Sequence, residues 1–281
     1  MGRLGIKIDG KVIAAEHKEK IREFIVKRKE MGLRSPCLAG ILVGNDGGSE
    51  NYIKSQTKLC NELGVKRLDI ALPIDISEKE LIDRIEALNK DETIDGIIMQ
   101  VPLPKHLNEK KITSSISFEK DVDALTDINT GKFYKGDASF VPCTPKAIIE
   151  IIKTTIGSMA GMHAVIIGRS NIVGKPVAQL LLKENATVTI CHSKTKNLKE
   201  VCRSGDILIV AIGKPSFVTA DFVKDGAIVI DVGTTYVDGK ILGDVFYEDV
   251  LDKAAYLTPV PGGVGPVTTV MLIQNTCEAM K

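Results

Sequence analysis

Apolar positions in the first half of the chain alternate between helical and strand spacing. Residues 13–31 read as an amphipathic helix with its charges gathered on one side. Cys37–Val43 is an apolar run of strand length, followed by a glycine-rich loop at 44–48. Residues 50–63 return to helical spacing and stop at Gly64, and 68–72 form a strand. Ser77, with Glu80 three residues on, makes a capping box that opens a helix reaching Leu88. The run 96–101 is the next strand, ended by Pro102-Leu103-Pro104. Strands alternating with helices predict a parallel sheet covered on both faces.

The second half repeats the pattern. Runs at 164–167, 186–190, 207–211 and 227–232 predict parallel strands, with Tyr256 and Leu257 a candidate fifth. Between the halves, Pro142-Cys143-Thr144-Pro145 leads into a bridging helix over 147–153. A last helix over 268–280 is expected to pack back on the first half.

The first strand of this second half runs into Gly168-Arg169-Ser170-Asn171-Ile172-Val173-Gly174, and a helical pattern starts directly after it. A strand, a tight glycine turn and a helix N-terminus together hold a dinucleotide pyrophosphate on backbone N–H groups. Compared with G-x-G-x-x-G, Ser170 takes the second glycine's place and Gly174 arrives one residue late. A purely structural turn is the alternative. The next strand ends in Cys191-His192-Ser193-Lys194, with no carboxylate for a ribose 2′-hydroxyl. Arg169 and Ser193 suit a 2′-phosphate instead, which favours NADP. The fold class expected is therefore α/β in two lobes. Residues 1–140, joined by helix 268–281, form an N-terminal α/β catalytic domain. Residues 141–267 form a Rossmann-like NADP-binding domain, with a cleft between the two.

Composition narrows the partners. With 37 Lys and Arg against 36 Asp and Glu, no basic field argues for nucleic acid or an anionic membrane. Cysteines at 37, 60, 143, 191, 202 and 277 form no C-x-x-C pair and the four histidines are scattered, so no metal site is expected. The start of the chain, Gly2-Arg3-Leu4-Gly5, lacks the apolar core of a signal peptide, and no apolar run reaches membrane-spanning length. The expectation is a cytoplasmic protein.

Six segments carry candidate chemistry: Tyr52 with its helix, the strand ending at Gln100, Lys120-Asp121-Val122-Asp123, Pro142-Cys143-Thr144-Pro145, Gly168-Arg169-Ser170, and Pro259-Val260-Pro261-Gly262-Gly263-Val264-Gly265-Pro266. In order and spacing they resemble the bifunctional methylenetetrahydrofolate dehydrogenase/methenyltetrahydrofolate cyclohydrolase family over nearly the whole chain. The resemblance implies NADP-dependent oxidation of 5,10-methylenetetrahydrofolate, then hydrolysis of the methenyl product to 10-formyltetrahydrofolate for purine biosynthesis, by a homodimer joined through its cofactor domain. It gives Tyr52 the role of stacking on the folate rings, Gln100 a contact with the reacting region and Asp123 a hydrogen bond to the pterin. Pro261, Gly262 and Gly263 would approach the substrate, and Gly168, Arg169, Ser170, Ser193 and Thr234 the cofactor. Asp121 is read as a turn or cap residue.

Three positions depart from the family pattern: Ala124 stands where a glycine is commoner, Thr234 where the family usually has isoleucine, and the third matters most. The family has a lysine four residues after the tyrosine, and here that residue is Gln56. Four residues is about one helical turn, so Gln56 shares a face with Tyr52, while Lys54 and Lys58 point elsewhere. An amide cannot exchange a proton near neutral pH. Hydrolysis should suffer more than hydride transfer. Rival readings are another two-lobed NADP dehydrogenase, such as one acting on shikimate-like hydroxy acids, and a catalytically silent folate or NADP binder.

Overall fold

The computed structural model describes residues 5–44, 47–137 and 140–280, with backbone alone at 47–51. The expected loop positions Asn45 and Asp46, and Gly2-Arg3-Leu4, lie outside the described residues. In chain order the first elements are β1 (Ile6–Lys7), α1 (Gly10–Glu30), β2 (Cys37–Val43), α2 (Gly47–Leu63), β3 (Lys66–Leu72), α3 (Glu78–Lys90), β4 (Gly96–Met99), α4 (Glu109–Thr113) and α5 (Asp127–Lys135). Then come α6 (Cys143–Ile156), β5 (His163–Ile167), α7 (Gly174–Lys183), β6 (Thr187–Cys191), α8 (Leu198–Arg203), β7 (Ile207–Val210) and β8 (Ile228–Asp231). The last are β9 (Thr235–Val237), β10 (Lys240–Leu242), α9 (Tyr247–Leu251), β11 (Tyr256–Leu257) and α10 (Val264–Glu278). The chain divides into two units: Glu16–Cys143 with the segment from Thr269 on, and the residues up to Ala15 with Thr144–Thr268.

The first unit is built on a parallel three-stranded sheet with β2 between β3 and β4. Side chains alternate along a strand, so each face has its own set. Cys37, Ala39, Ile41, Val43, Ile97 and Met99 pack with Leu81, Ile85 and Leu88 of α3 in one core. Ser77 caps α3 as expected: its hydroxyl accepts from the Glu80 N–H, and the Glu80 carboxylate accepts in return from the Ser77 N–H. On the other face the register aligns Leu38 with Arg67 and Gly96, and Gly40 with Asp69 and Ile98. Helix α2 lies on this face, where Thr57 Oγ1 donates to Asp69 Oδ2 at 2.9 Å. From α10, the Asn275 amide donates to the carbonyls of Val122 and Val141 at 2.8 and 3.0 Å.

The second unit carries a six-stranded sheet in the order β1-β11-β8-β7-β5-β6, all parallel. Apart from His163 at the start of β5 its central strands are buried, which is why they read as unbroken apolar runs. The candidate fifth strand at Tyr256 and Leu257 is present, and β1 pairs beside it, Ile6 with Tyr256 and Lys7 with Leu257. The first residues therefore cluster with this sheet rather than with residues 16–140, a difference from the sequence expectation. Two extended residues are too short for a periodic signal, and pairing alone fixes them. Among the described residues, no helix is long and apolar enough to cross a membrane.

Candidate active site

At the end of β5 the chain turns at Gly168, where φ is +129° and a Cβ would run into the Ala211 carbonyl oxygen. Gly168 also donates its N–H to the Cys191 carbonyl at 2.9 Å, tying the ends of β5 and β6 together. Gly174 opens α7 so close beneath that a Cβ there would strike the Gly168 carbonyl oxygen. Both glycines are thus required by close backbone approach, and no side chain stands over the turn from either. Ser170 does something the sequence did not disclose. Its Oγ accepts from the N–H groups of Val173 at 3.1 Å and Gly174 at 3.4 Å, so it caps the helix start. Arg169 is exposed beside the turn. Ser193 is exposed in the turn after β6, which is held by the His192 N–H on Thr195 Oγ1 and the Lys194 N–H on His192 Nδ1. Thr234 is exposed just past β8.

Two buried aspartates, absent from the sequence reading, organise the same edge. The Asp244 carboxylate accepts from the N–H groups of Ile212, Gly213 and Lys214 at 2.7, 3.0 and 2.6 Å, fixing the loop after β7. Asp231 accepts from the N–H groups of Gly233, Asp244 and Val245, each at 2.9 Å. Burial lifts the Asp231 carboxyl to about 6, against the pull of those donors. They shape the carboxyl ends of the strands, where open α/β sheets bind ligands. The Pro/Gly run at 259–266 belongs to this unit too. Gly262, at φ +108°, accepts from the Gly10 N–H at 2.9 Å, and a Cβ on Gly10 would strike the Gly263 carbonyl oxygen.

In the first unit, α2 presents Tyr52, half-buried, and Gln56, fully buried, one turn apart, while Lys54 and Lys58 are exposed. The helix geometry that sequence spacing implied is the one observed. Gln100 follows β4, is 8% exposed, and donates its backbone N–H to the Ile41 carbonyl at 2.9 Å. Asp123 accepts from the Cys143 N–H at 3.0 Å, and Cys143 Sγ donates to the Val122 carbonyl. Asp121 is 1% exposed and takes the N–H groups of Leu125 and Thr126 and the Asn129 amide, a turn-capping role. Ala124 sits at φ +54°, a left-handed conformation that glycine adopts more readily than alanine.

Electrostatics sets these groups apart. Burial pushes the Tyr52 phenol well above its ordinary range and the Asp123 carboxylate adds to the rise. The Gln56 amide, which falls short of hydrogen-bond geometry, and the Arg67 guanidinium oppose it. Burial also lifts the Asp123 carboxyl to about 6, with the Cys143 N–H and thiol holding it down and Asp121 raising it further. Polar atoms without partners converge on the same face. Gln56 Nε2 and Oε1, Arg67 Nη1 and Nη2, and Gln100 Nε2 are all buried without a hydrogen bond. Buried polar groups ordinarily have a partner in the protein or in bound water, so donors and an acceptor left without a protein partner can take up a polar ligand.

A pH prediction follows from Asp123. Its native carboxyl titrates near 6, above the ordinary 3.8, so its contribution to stability is complete below 3.8 and is lost as pH rises through about 6. Asp123→Asn is expected to melt higher than the wild type at pH 7, the gap closing toward pH 4. Thermal melts of both proteins across that range check the sign.

Two family models match the chain in succession. Residues 8–123 match the catalytic domain of tetrahydrofolate dehydrogenase/cyclohydrolase, and residues 142–281 its NAD(P)-binding domain. A bifunctional protein FolD of Clostridium novyi is 58% identical over 99% of this chain and 100% of its own length. The crystal structure of the bifunctional FolD methylenetetrahydrofolate dehydrogenase/cyclohydrolase from Campylobacter jejuni superposes with a TM-score of 0.94 at 44% identity, covering 98% of both chains. The Trypanosoma brucei methylenetetrahydrofolate dehydrogenase-cyclohydrolase, solved with NADP and an inhibitor, gives a TM-score of 0.94 at 34% identity over 99% of this chain and 98% of its own. With the glycine turn on one sheet and the tyrosine, glutamine and aspartate around the other, the chain belongs to the tetrahydrofolate dehydrogenase/cyclohydrolase family.

Proposed function

We propose that this chain oxidises 5,10-methylenetetrahydrofolate with NADP and hydrolyses the methenyl product to 10-formyltetrahydrofolate only slowly. The observation that carries the reading is Gln56, a fully buried and unpartnered amide on the Tyr52 face. When bound, NADP accepts the hydride from the bridge carbon. Gly168 and Gly174 fit that cofactor, because without side chains the turn and the start of α7 pack backbone against backbone, the close approach a phosphate-binding turn needs. Arg169 and Ser193 would hold its 2′-phosphate, Ser170 shapes the turn through its cap, and Thr234 would contribute to the same site.

On the folate side, the Tyr52 ring offers a flat surface to the ring system. Asp123 accepts from the pterin N–H donors, Gln100 turns its open amide toward the reacting region, and Pro261, Gly262 and Gly263 give close backbone approach. Two nitrogens flanking the bridge carbon already stabilise the cation left by hydride loss, so this step needs positioning more than a protein base. Hydrolysis needs water addition and proton transfers. Neither Gln56 nor Gln100 exchanges a proton at neutral pH, and the Tyr52 phenol is raised out of range. The same reading places the enzyme as a homodimer in the cytoplasm, on family resemblance alone.

Pure protein given methylenetetrahydrofolate and NADP must form reduced cofactor; if none appears, the reading fails. Asp123→Ala should weaken tetrahydrofolate binding by about 1–3 kcal/mol, the penalty for an unpaired donor, and leave NADP binding as it was. Calorimetric titration with each ligand decides, and a mutant that loses NADP while keeping folate would contradict the assignment.

A further inference from the structure

Arg67 is the unexplained charge in the first unit. Its side chain is only 2% exposed although β3 is an edge strand, and its Nε donates to Asp69 Oδ1 at 2.6 Å. Asp69 is in turn held by the Thr57 hydroxyl of α2. The guanidinium reaches across the neighbouring strand and lies on Gly40, where a Cβ would collide with Nη2 and crowd Cζ. A glycine inside a buried strand marks such a close approach. The register puts Gly40 and Arg67 on the α2 face, and Gln100 falls on it two residues beyond Ile98. The guanidinium is close enough to lower the Tyr52 and Cys60 pKa values, so it acts along the side of α2 that carries Gln56.

A guanidinium that served packing alone would have its terminal nitrogens bonded, because an unsatisfied buried cation is strongly unfavourable. Here Nη1 and Nη2 are both buried without an acceptor. Guanidinium nitrogens only donate, so what completes them must bring acceptors. We infer that Arg67 is a substrate-positioning residue, a fixed cation on this face, whose two unpartnered terminal NH2 groups hold a carbonyl oxygen of the bound folate. This rests on the folate reading above. It also assigns a division of labour. Where the family lysine combines a charge with a titratable amine, this chain keeps a charge in Arg67 and has no amine at 56.

The test is calorimetry with tetrahydrofolate and, separately, NADP, on the wild type, Arg67→Met, Arg67→Lys, Gly40→Ala and the Gly40→Ala/Arg67→Met pair. A hydrogen bond from a charged donor implies that Arg67→Met weakens tetrahydrofolate roughly 10–150-fold. NADP affinity stays unchanged, and the KM for methylenetetrahydrofolate rises far more than kcat falls. Arg67→Lys recovers part of the loss. Gly40→Ala, which keeps every charge but displaces the guanidinium, reproduces the loss and adds nothing in the Arg67→Met background. It carries the test should Arg67→Met not fold. 6-Methyltetrahydropterin as a second probe places the carbonyl: an equal loss puts it on the pterin, and a loss confined to tetrahydrofolate puts it on the aminobenzoyl group. Wild-type affinity for both probes in Arg67→Met, or full affinity in Gly40→Ala, overturns the inference. A wild type that binds no tetrahydrofolate and reduces no NADP overturns the functional reading instead.

Discussion

Gln56→Lys is expected to raise the rate of methenyltetrahydrofolate hydrolysis by about 10²–10⁴-fold, the usual worth of a positioned acid or base. The substituted side chain starts from a fully buried position one helical turn from Tyr52, so the new amine faces the same pocket. Burial depresses a lysine pKa, and the Arg67 guanidinium acting on that side of α2 depresses it further. A neutral amine is then available near neutral pH, and the gain should grow as pH rises through the depressed pKa. Hydride transfer should change much less, because it rests on positioning. Stopped-time assays of methenyl loss and of NADPH formation, run on the same preparations, separate the two effects. An equal change in both rates would show that the substitution altered folate binding rather than proton transfer.

Arg169→Ala should raise the KM for NADP by roughly 10–150-fold, the range of one charge-assisted hydrogen bond, and leave the KM for NAD nearly unchanged. Arg169 is exposed beside the Gly168 turn, and the end of β6 offers Ser193 rather than a carboxylate. A 2′-phosphate therefore meets a cation and a hydroxyl without repulsion. Steady-state kinetics with both cofactors checks the ratio, and equal losses would remove Arg169 from the 2′-phosphate site.

What the sequence disclosed and what it withheld follow from the range of the interactions. Buried parallel strands are short unbroken apolar runs, so β2, β5, β7 and β8 were legible, as was α3 through the Ser77 and Glu80 box. The short helices α4 and α5 were not, because five and nine residues give little periodicity. The hairpin of β9 and β10 was announced only by Asp238-Gly239, both at positive φ. In the site, Tyr52 and Gln56 were singled out by the family resemblance, and helical spacing put them on one face. Arg67, Asp231 and Asp244 were not, since each acts on residues that meet it only through the fold. Gly40, breaking an apolar strand, was the one local sign that a side chain crosses there.

The division of the two activities is tested most directly by following one reaction of the wild-type protein with methylenetetrahydrofolate and NADP, recording NADPH and the methenyl absorbance together. The account predicts that NADPH forms at an enzymatic rate while methenyltetrahydrofolate accumulates nearly one for one and decays close to its spontaneous rate. Methenyltetrahydrofolate that never accumulates, because the protein converts it to 10-formyltetrahydrofolate as fast as NADPH appears, would contradict it.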